Sequence, residues 1–274
     1  MTTTLLHISD PHFGDPNGVL SRQEVNQVLE TLLVKTGPDV FVVLSGDISF
    51  RGQAQGYVEA KQALLDVFDE TKVQRDRVIV CPGNHDIVKS ATNGSPFEAF
   101  DAWSVGLRRD KHCTFSSDSC RRFTSPEVDF LLINSVYHGD SKYGLVDLKK
   151  MDAVLADMNA VPIQNLPRVA VLHHHVVPFS AGDTSTTRNA YQVLTRLAKH
   201  GFSLVLHGHQ HALLELGIGE NSMKVHGVGS FRYITPGFIN GATVYRIDSS
   251  KHVTAEHYAI SKDAPNLLKA IHDF

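Results

Sequence analysis

Apolar positions along this chain follow two rhythms, short unbroken runs and longer stretches with a helical period. The runs at residues 5–9, 40–45, 78–81, 130–134, 169–173 and 204–207 predict strands. Between them lie helical patterns. Ser21 opens the first, with Glu24 three residues on as a capping box. Val25, Val28, Leu29, Leu32 and Leu33 share one face, and Gly37-Pro38 stops it. Residues 57–71 give a second amphipathic helix through Leu64, Leu65 and Phe68. Residues 145–158 and 191–200 give two more. The tail predicts strands at 213–218, 223–227, 242–248 and 253–258, with a hairpin turn at 248–251. Alternating β and α units predict an α/β fold, with parallel strands covered by helices. The β-rich tail predicts a second sheet or a mixed extension. The chain carries no repeat, low-complexity tract or linker, so residues 1–274 are expected to form one domain.

One segment breaks the rhythm. Residues 88–127 carry Phe97, Phe100, Trp103 and Leu107 at helical spacing, then a polar stretch rich in Ser, Asp and Arg. Two readings stay open: a cap or lid over a site, or a surface helix and loop with no part in binding. The apolar patch could equally be a core contact or the interface of a homo-oligomer.

Composition narrows the function classes. A net charge of −3 gives no reason to expect wholesale binding to nucleic acid or anionic membrane. Arg108-Arg109-Asp110-Lys111 with Arg121-Arg122 is a modest basic cluster for a nuclease, so a nucleic-acid polymer is not expected as partner. Three cysteines, none in a C-x-x-C motif, suit a reduced cytosolic protein. The first residues lack a basic region followed by an apolar one. No apolar run approaches the ~20 residues of a membrane helix. A cytoplasmic protein without a membrane segment is the expectation.

Sixteen histidines are the unusual count, and their placement matters more. Five polar clusters follow predicted strands, where open α/β sheets bind ligands. Asp10 and His12 are two apart and, on an extended segment, could reach one metal ion. Gly46 lets the chain turn so that Asp47 projects over the sheet edge, and its carboxylate can bridge two cations. Arg51 could clamp a phosphate through its planar fork. Asn84 offers a neutral carbonyl oxygen. His85 followed by Asp86 suggests an imidazole oriented and kept basic by a carboxylate. His173-His174-His175 ends a strand; each ring needs partners, and at least one is expected to be a ligand. His209 and His211 can face one site, whereas His207, on the other parity, reads as structural. His112, His138, His226, His252, His257 and His272 read as surface or locally satisfied residues. Singly, Asp-x-His and Gly-Asn are ordinary loop sequences, Asp47 a capping residue and Arg51 a solvated charge. Together they supply carboxylate, imidazole and amide donors from five strand ends. A two-metal hydrolytic centre, with ions roughly 3.5–4 Å apart, demands such a set. Mixed N and O donors suit Mn, Fe, Zn or Co, and the absence of thiolates argues against structural zinc.

The series Asp-x-His, Gly-Asp, Gly-Asn-His-Asp, a strand-ending His and Gly-His-x-His, in this order over residues 10–211, resembles the calcineurin-like metallophosphoesterases. Within that superfamily, Gly46-Asp47-Ile48-Ser49-Phe50-Arg51-Gly52 and the length are most similar to bacterial class III cyclic-nucleotide phosphodiesterases and glycerophosphodiesterases. The resemblance implies a four-layer αββα fold, a sandwich of two mixed sheets flanked by helices. It implies that Asp10, His12 and His211 hold one metal, that Asn84, His173 and His209 hold the other, and that Asp47 bridges them. His85 would contact the phosphate without binding metal and could protonate the leaving oxygen, oriented by Asp86. The expected reaction is hydrolysis of a small-molecule phosphodiester by a hydroxide held between two divalent ions. Alternatives are a phosphomonoesterase or nuclease on the same site, or a scaffold that kept the fold; a scaffold would be expected to have lost ligands, and none is lost here. Two departures matter. Related enzymes often have His-His-Pro-Pro where this chain has His173-His174-His175-Val176, so His173, on the ungapped reading, or His174 is the ligand. Phe50 stands where phosphoprotein phosphatases place Asp before Arg-Gly, which weakens that substrate class and leaves the role of Arg51 open.

Overall fold

In the computed structural model, which describes residues 2–88, 94–160, 166–219 and 223–271, the ten predicted strands and two unpredicted ones, Cys120–Thr124 and Leu268–Ile271, gather into two six-stranded mixed sheets. The first contains β1 (Thr3–Ile8), β2 (Phe41–Leu44) and β3 (Val78–Val80), mutually parallel, and β10 (Gly241–Ile247), β11 (Val253–Ile260) and β12 (Leu268–Ile271), which continue antiparallel from β1. The second has the order β4 (Cys120–Thr124), β5 (Asp129–Ile133), β6 (Arg168–Val171), β7 (Leu204–His207), β9 (Met223–Gly227), β8 (Leu214–Ile218). Its four central strands are parallel and its two edge strands antiparallel.

Alternation along the second sheet builds the layers. Phe130, Leu132, Val169, Val171, Leu204 and Leu206 face the first sheet within the main core. Leu131, Ile133, Ala170 and Val205 face the opposite way, against α4 (Leu148–Ala160) and α5 (Ala190–Lys199). The outer face of the first sheet is covered by α1 (Arg22–Thr36) and α2 (Ala54–Thr71). The result is the αββα sandwich. The Phe41 and Phe130 rings meet across the middle, 5.6 Å apart.

Helix starts follow local chemistry. Ser21 and Glu24 close the capping box, each side chain accepting the other's backbone N–H. Helix α2 begins three residues earlier than its apolar pattern suggests. Gly56 lies in its first turn because a Cβ there would sit 2.3 Å from the Phe13 carbonyl oxygen.

Among the described residues of the segment after β3, the helix is a core element. Phe100, Trp103 and Leu107, on α3 (Glu98–Arg108), are buried, and the Trp103 ring lies 5.8 Å from that of Tyr57 on α2. Phe97 packs with Ile87 and Val136. The apolar patch is thus a core contact, and the polar stretch beyond it supplies edge strand β4. Residues 89–93 of that segment, and His272, lie outside the described residues. Cys81, Cys113 and Cys120 are buried free thiols. No helix among the described residues is long and apolar enough to cross a membrane.

Candidate metal centre

The donor residues predicted from sequence follow the carboxyl ends of parallel strands. Asp10 and His12 follow β1, Asp47 follows β2, and His85 and Asp86 share a single turn with Asn84 after β3. His173 follows β6, and His209 and His211 follow β7. Asp10, His12, Asp47, His209 and His211 all adopt left-handed backbone, with φ of 51°, 43°, 54°, 68° and 54°. So Asp10 and His12 do point to one site, but not from an extended chain as the alternation argument supposed. Left-handed non-glycine residues cost of order 1–3 kcal/mol each and cluster where function requires them.

Two main donor groups result, overlapped by a third made of His12, Asp47 and His85. Ligand atoms of Asp10, His12 and His211 lie within 4.8 Å of one another, and so do those of Asp47, His173 and His209. The Asp47 carboxylate lies between the groups, with Oδ2 3.6 Å from His12 Nε2 and 3.4 Å from His173 Nε2. Asp10 Oδ1 is 3.2 Å from His211 Nε2. Its Oδ2 accepts the His209 backbone N–H at 3.0 Å.

His173 provides a test of whether these residues fit a metal ion. Its Nδ1 donates to the Ser45 carbonyl at 2.8 Å, which leaves the Nε2 lone pair facing the site. There it meets Asn84 Oδ1 at 3.0 Å, His209 Nδ1 at 3.2 Å and the Asp47 carboxylate. Asn84 Oδ1, the Asp47 carboxylate and His173 Nε2 present electron pairs toward one point, an arrangement that a cation satisfies. Burial alone would lower the pKa of His173, but the charges of Asp47 and Asp10 outweigh it and hold the metal-free ring up to about 9. Burial keeps His12 down to about 4 and, helped by His173, His209 down to about 3, so both present neutral rings. Burial opposes ionisation of Asp10 and Asp47, but the facing histidines hold both well below the usual carboxylate range. Neutral imidazoles and ionised carboxylates are the ligand forms of these side chains. His174 has its Nδ1 3.0 Å from Ser135 Oγ and its ring 4.3 Å from that of His209, and it belongs to neither donor group. Of the two candidates, His173 is the one that faces the donors.

Glycines make the approach possible. Gly46 has φ of 100°, and a Cβ on it would lie 2.5 Å from His173 Nδ1. A Cβ on Gly83 would lie 2.2 Å from Asp47 Oδ1.

His85 lies at the open side. Its backbone N–H donates to Asp47 Oδ1 at 2.7 Å, and its ring is 4.6 Å from that of His12. It lines a cavity of about 460 Å³ with Arg51, Asn84, Ile87 and Ser141. Arg51 is exposed, left-handed at φ 56°, with its guanidinium 5.0 Å from the Phe50 ring. The expectation for Asp86 needs correction. Its buried carboxylate accepts from the backbone N–H groups of Ile48, Ser49 and Gly83 and from the Tyr57 hydroxyl. It makes no hydrogen bond to His85, whose Nδ1 has no partner among the described residues. Asp86 braces the Asp47 and Gly83 turns from below. Burial and the nearby Asp47 push its pKa up to about 6, against the four donors.

Three contributors carried no sequence signal. Thr235 pairs with His211 Nδ1, a contact that orients a ligand ring. Tyr233 covers the first donor group, its ring 4.8 Å from His12 and 5.4 Å from His211. Both lie in the irregular connection between β9 and β10, where no periodicity marks them. Gln210 Nε2 joins His175 Nε2 at 2.7 Å and Asp183 Oδ2 at 2.8 Å beside the second group.

A family model of calcineurin-like phosphoesterases matches residues 3–213, a span holding every residue of both donor groups. The chain belongs to the calcineurin-like phosphoesterase family. Its donor set is suited to divalent ions. No curated protein matches the chain in sequence. Solved structures share its fold at low identity. Purple acid phosphatase PPD1 from yellow lupin superposes with TM-score 0.64 at 11% identity, over 94% of this chain and 52% of that one. The phosphoesterase chain thus spans about half the length of the lupin protein. A dimetal phosphatase from Danio rerio gives TM-score 0.59 at 13% identity, over 92% and 98% of the two chains. GAP50 of Plasmodium, described as an anchor in the inner membrane complex, gives 0.59 at 11% over 98% and 88%. At such identities the likeness is one of fold alone.

Proposed function

We propose that this phosphoesterase hydrolyses small-molecule phosphodiesters, of the cyclic-nucleotide or glycerophosphodiester type, at a dinuclear centre. The observation that carries the reading is the pair of donor groups meeting at Asp47, open to a cavity bearing His85 and Arg51. Asp10, His12 and His211 would hold one ion, Asn84, His173 and His209 the other, with Asp47 shared. When bound, two such ions supply Lewis-acid polarisation of phosphoryl oxygens and a water of lowered pKa.

The chain's own residues do the rest. Asp47 fixes the spacing of the two halves and, through the His85 N–H, the position of His85. His85 stands where it can meet a phosphoryl oxygen and pass a proton from its ring to the departing alkoxide, a role worth typically 10²–10⁴-fold. Arg51, at the same cavity, neutralises the remaining charge through its fork. A diester carries one negative charge at phosphorus and a monoester nearly two. Beyond the ions the described lining of the cavity offers one guanidinium and one imidazole, which favours the singly charged substrate. Its volume, about 460 Å³, falls in the range of small-ligand sites rather than polymer grooves.

The test compares bis-p-nitrophenyl phosphate with p-nitrophenyl phosphate, on protein stripped of metal and reloaded with Mn²⁺. Diesterase activity well above monoesterase activity, and dependent on the metal, is expected. Dominant monoesterase activity would overturn the diester assignment, and inactivity with every metal would favour the scaffold reading.

A further inference from the structure

Outside the hydrolytic centre, three side chains converge from both sheets. Glu215 on β8 stands directly opposite His226 on β9 in the antiparallel register. His257, on β11 of the other sheet, closes the group. Glu215 Oε1 is 3.7 Å from His226 Nε2, and its Oε2 is 3.7 Å from His257 Nε2. The three ligand atoms lie within 4.8 Å of one another. These separations are too long for hydrogen bonds. They suit atoms arranged around a shared ion at about 2.0–2.2 Å from each.

His226 supplies the independent sign. It is 1% exposed, and neither ring nitrogen has a hydrogen-bond partner among the described residues. Buried polar atoms are rarely left so. Burial lowers the pKa of His226 to about 4 and lowers that of His257, which favours the neutral form of each ring at neutral pH. His257 Nδ1 lies 3.0 Å from Thr243 Oγ1, a contact that turns Nε2 toward Glu215. Burial opposes ionisation of Glu215, but His226 and Lys224 outweigh it and favour the carboxylate. The Glu215 side chain is 37% exposed, so an ion can enter from the edge of the sandwich.

We propose that Glu215, His226 and His257 form a separate site for a divalent transition-metal ion, tying the outer hairpin of one sheet to β11 of the other. Two imidazoles and one carboxylate select Zn²⁺, Co²⁺ or Ni²⁺ over Mg²⁺ or Ca²⁺, which prefer all-oxygen shells. Water fills the remaining positions on the exposed side. Lys224 Nζ, 3.2 Å from Glu215 Oε1, is the cation that the metal displaces. The site needs none of the hydrolytic residues, so it stands or falls apart from the proposed reaction.

The experiment is equilibrium dialysis of the full chain against Zn²⁺, with elemental analysis, for wild type, Glu215→Gln and His257→Gln. Glu215→Gln is isosteric at a partly exposed edge position, and circular dichroism checks that each variant is folded. Each folded variant is expected to hold one equivalent less than wild type, or to bind that equivalent at least tenfold more weakly, with diesterase turnover retained. With Co²⁺, the variants should lose one component of the visible absorption. If either folded variant keeps the full wild-type complement at wild-type affinity, the site does not exist.

Discussion

Four donors occupy the Asp86 carboxylate: three backbone N–H groups and the Tyr57 hydroxyl. Its work is to hold two turns, one of them left-handed at Asp47, which sequence adjacency to His85 disguised. In Asp86→Asn an amide NH₂ would face donors, and a buried donor without an acceptor costs about 1–3 kcal/mol. A drop in melting temperature and weaker metal retention are expected. The pH profile of the residual turnover should stay that of wild type; a shifted profile would restore Asp86 as the orienting partner of His85. His85 and Asp47 separate in the same way. His85→Ala should keep both ions and lose ~10²–10⁴ in turnover, the usual worth of one proton-transferring group. Asp47→Ala should lose metal as well as activity. Metal analysis decides, because full occupancy in Asp47→Ala would remove its bridging role. At this scale the donors were legible because their chemistry is written in short strings after apolar runs. Thr235 and Tyr233 were not, since they reach the site from a loop whose path only the folded chain defines.

Elements were legible where one face is unambiguous. The central strands of both sheets are buried on both sides, so their apolar runs stand out. Two of the four edge strands were missed for the converse reason. Strand β4 reads Cys-Arg-Arg-Phe-Thr and β12 reads Leu-Lys-Ala-Ile, and neither keeps a clean period of two. Helix α3 had the correct period but an ambiguous meaning, because an amphipathic helix looks alike whether its apolar face covers a core, a ligand or a partner. Its burial against α2 decides for the core. Trp103→Ala should therefore cost about 3–5 kcal/mol, the usual range for a buried aromatic. Chemical denaturation measures that loss, while the KM for bis-p-nitrophenyl phosphate should hardly move. A raised KM at unchanged stability is the result a substrate lid would give.

For the whole molecule, the centre is a seam. Asp10, His12, Asp47, Asn84 and His85 come from the first sheet, and His173, His209 and His211 from the second. Bound ions would therefore link the two halves of the sandwich, and their binding free energy is stability. At a free metal concentration a hundred times Kd, one site contributes about 2.7 kcal/mol. Chelation should lower the melting temperature accordingly. The pH dependence has a definite sign. In the metal-free protein His173 keeps its proton to about pH 9, against an ordinary value of 6.5. A raised pKa means that its pairing with Asp47 and Asp10 stabilises the metal-free fold fully below about 6.5. That contribution fades as pH rises through 9. The metal-loaded protein needs the same ring neutral, so protons compete with the ion at low pH. The difference in melting temperature between loaded and stripped protein should then widen from pH 6 to pH 9. A difference that stays flat across that range would mean that His173 does not exchange its proton for a metal ion.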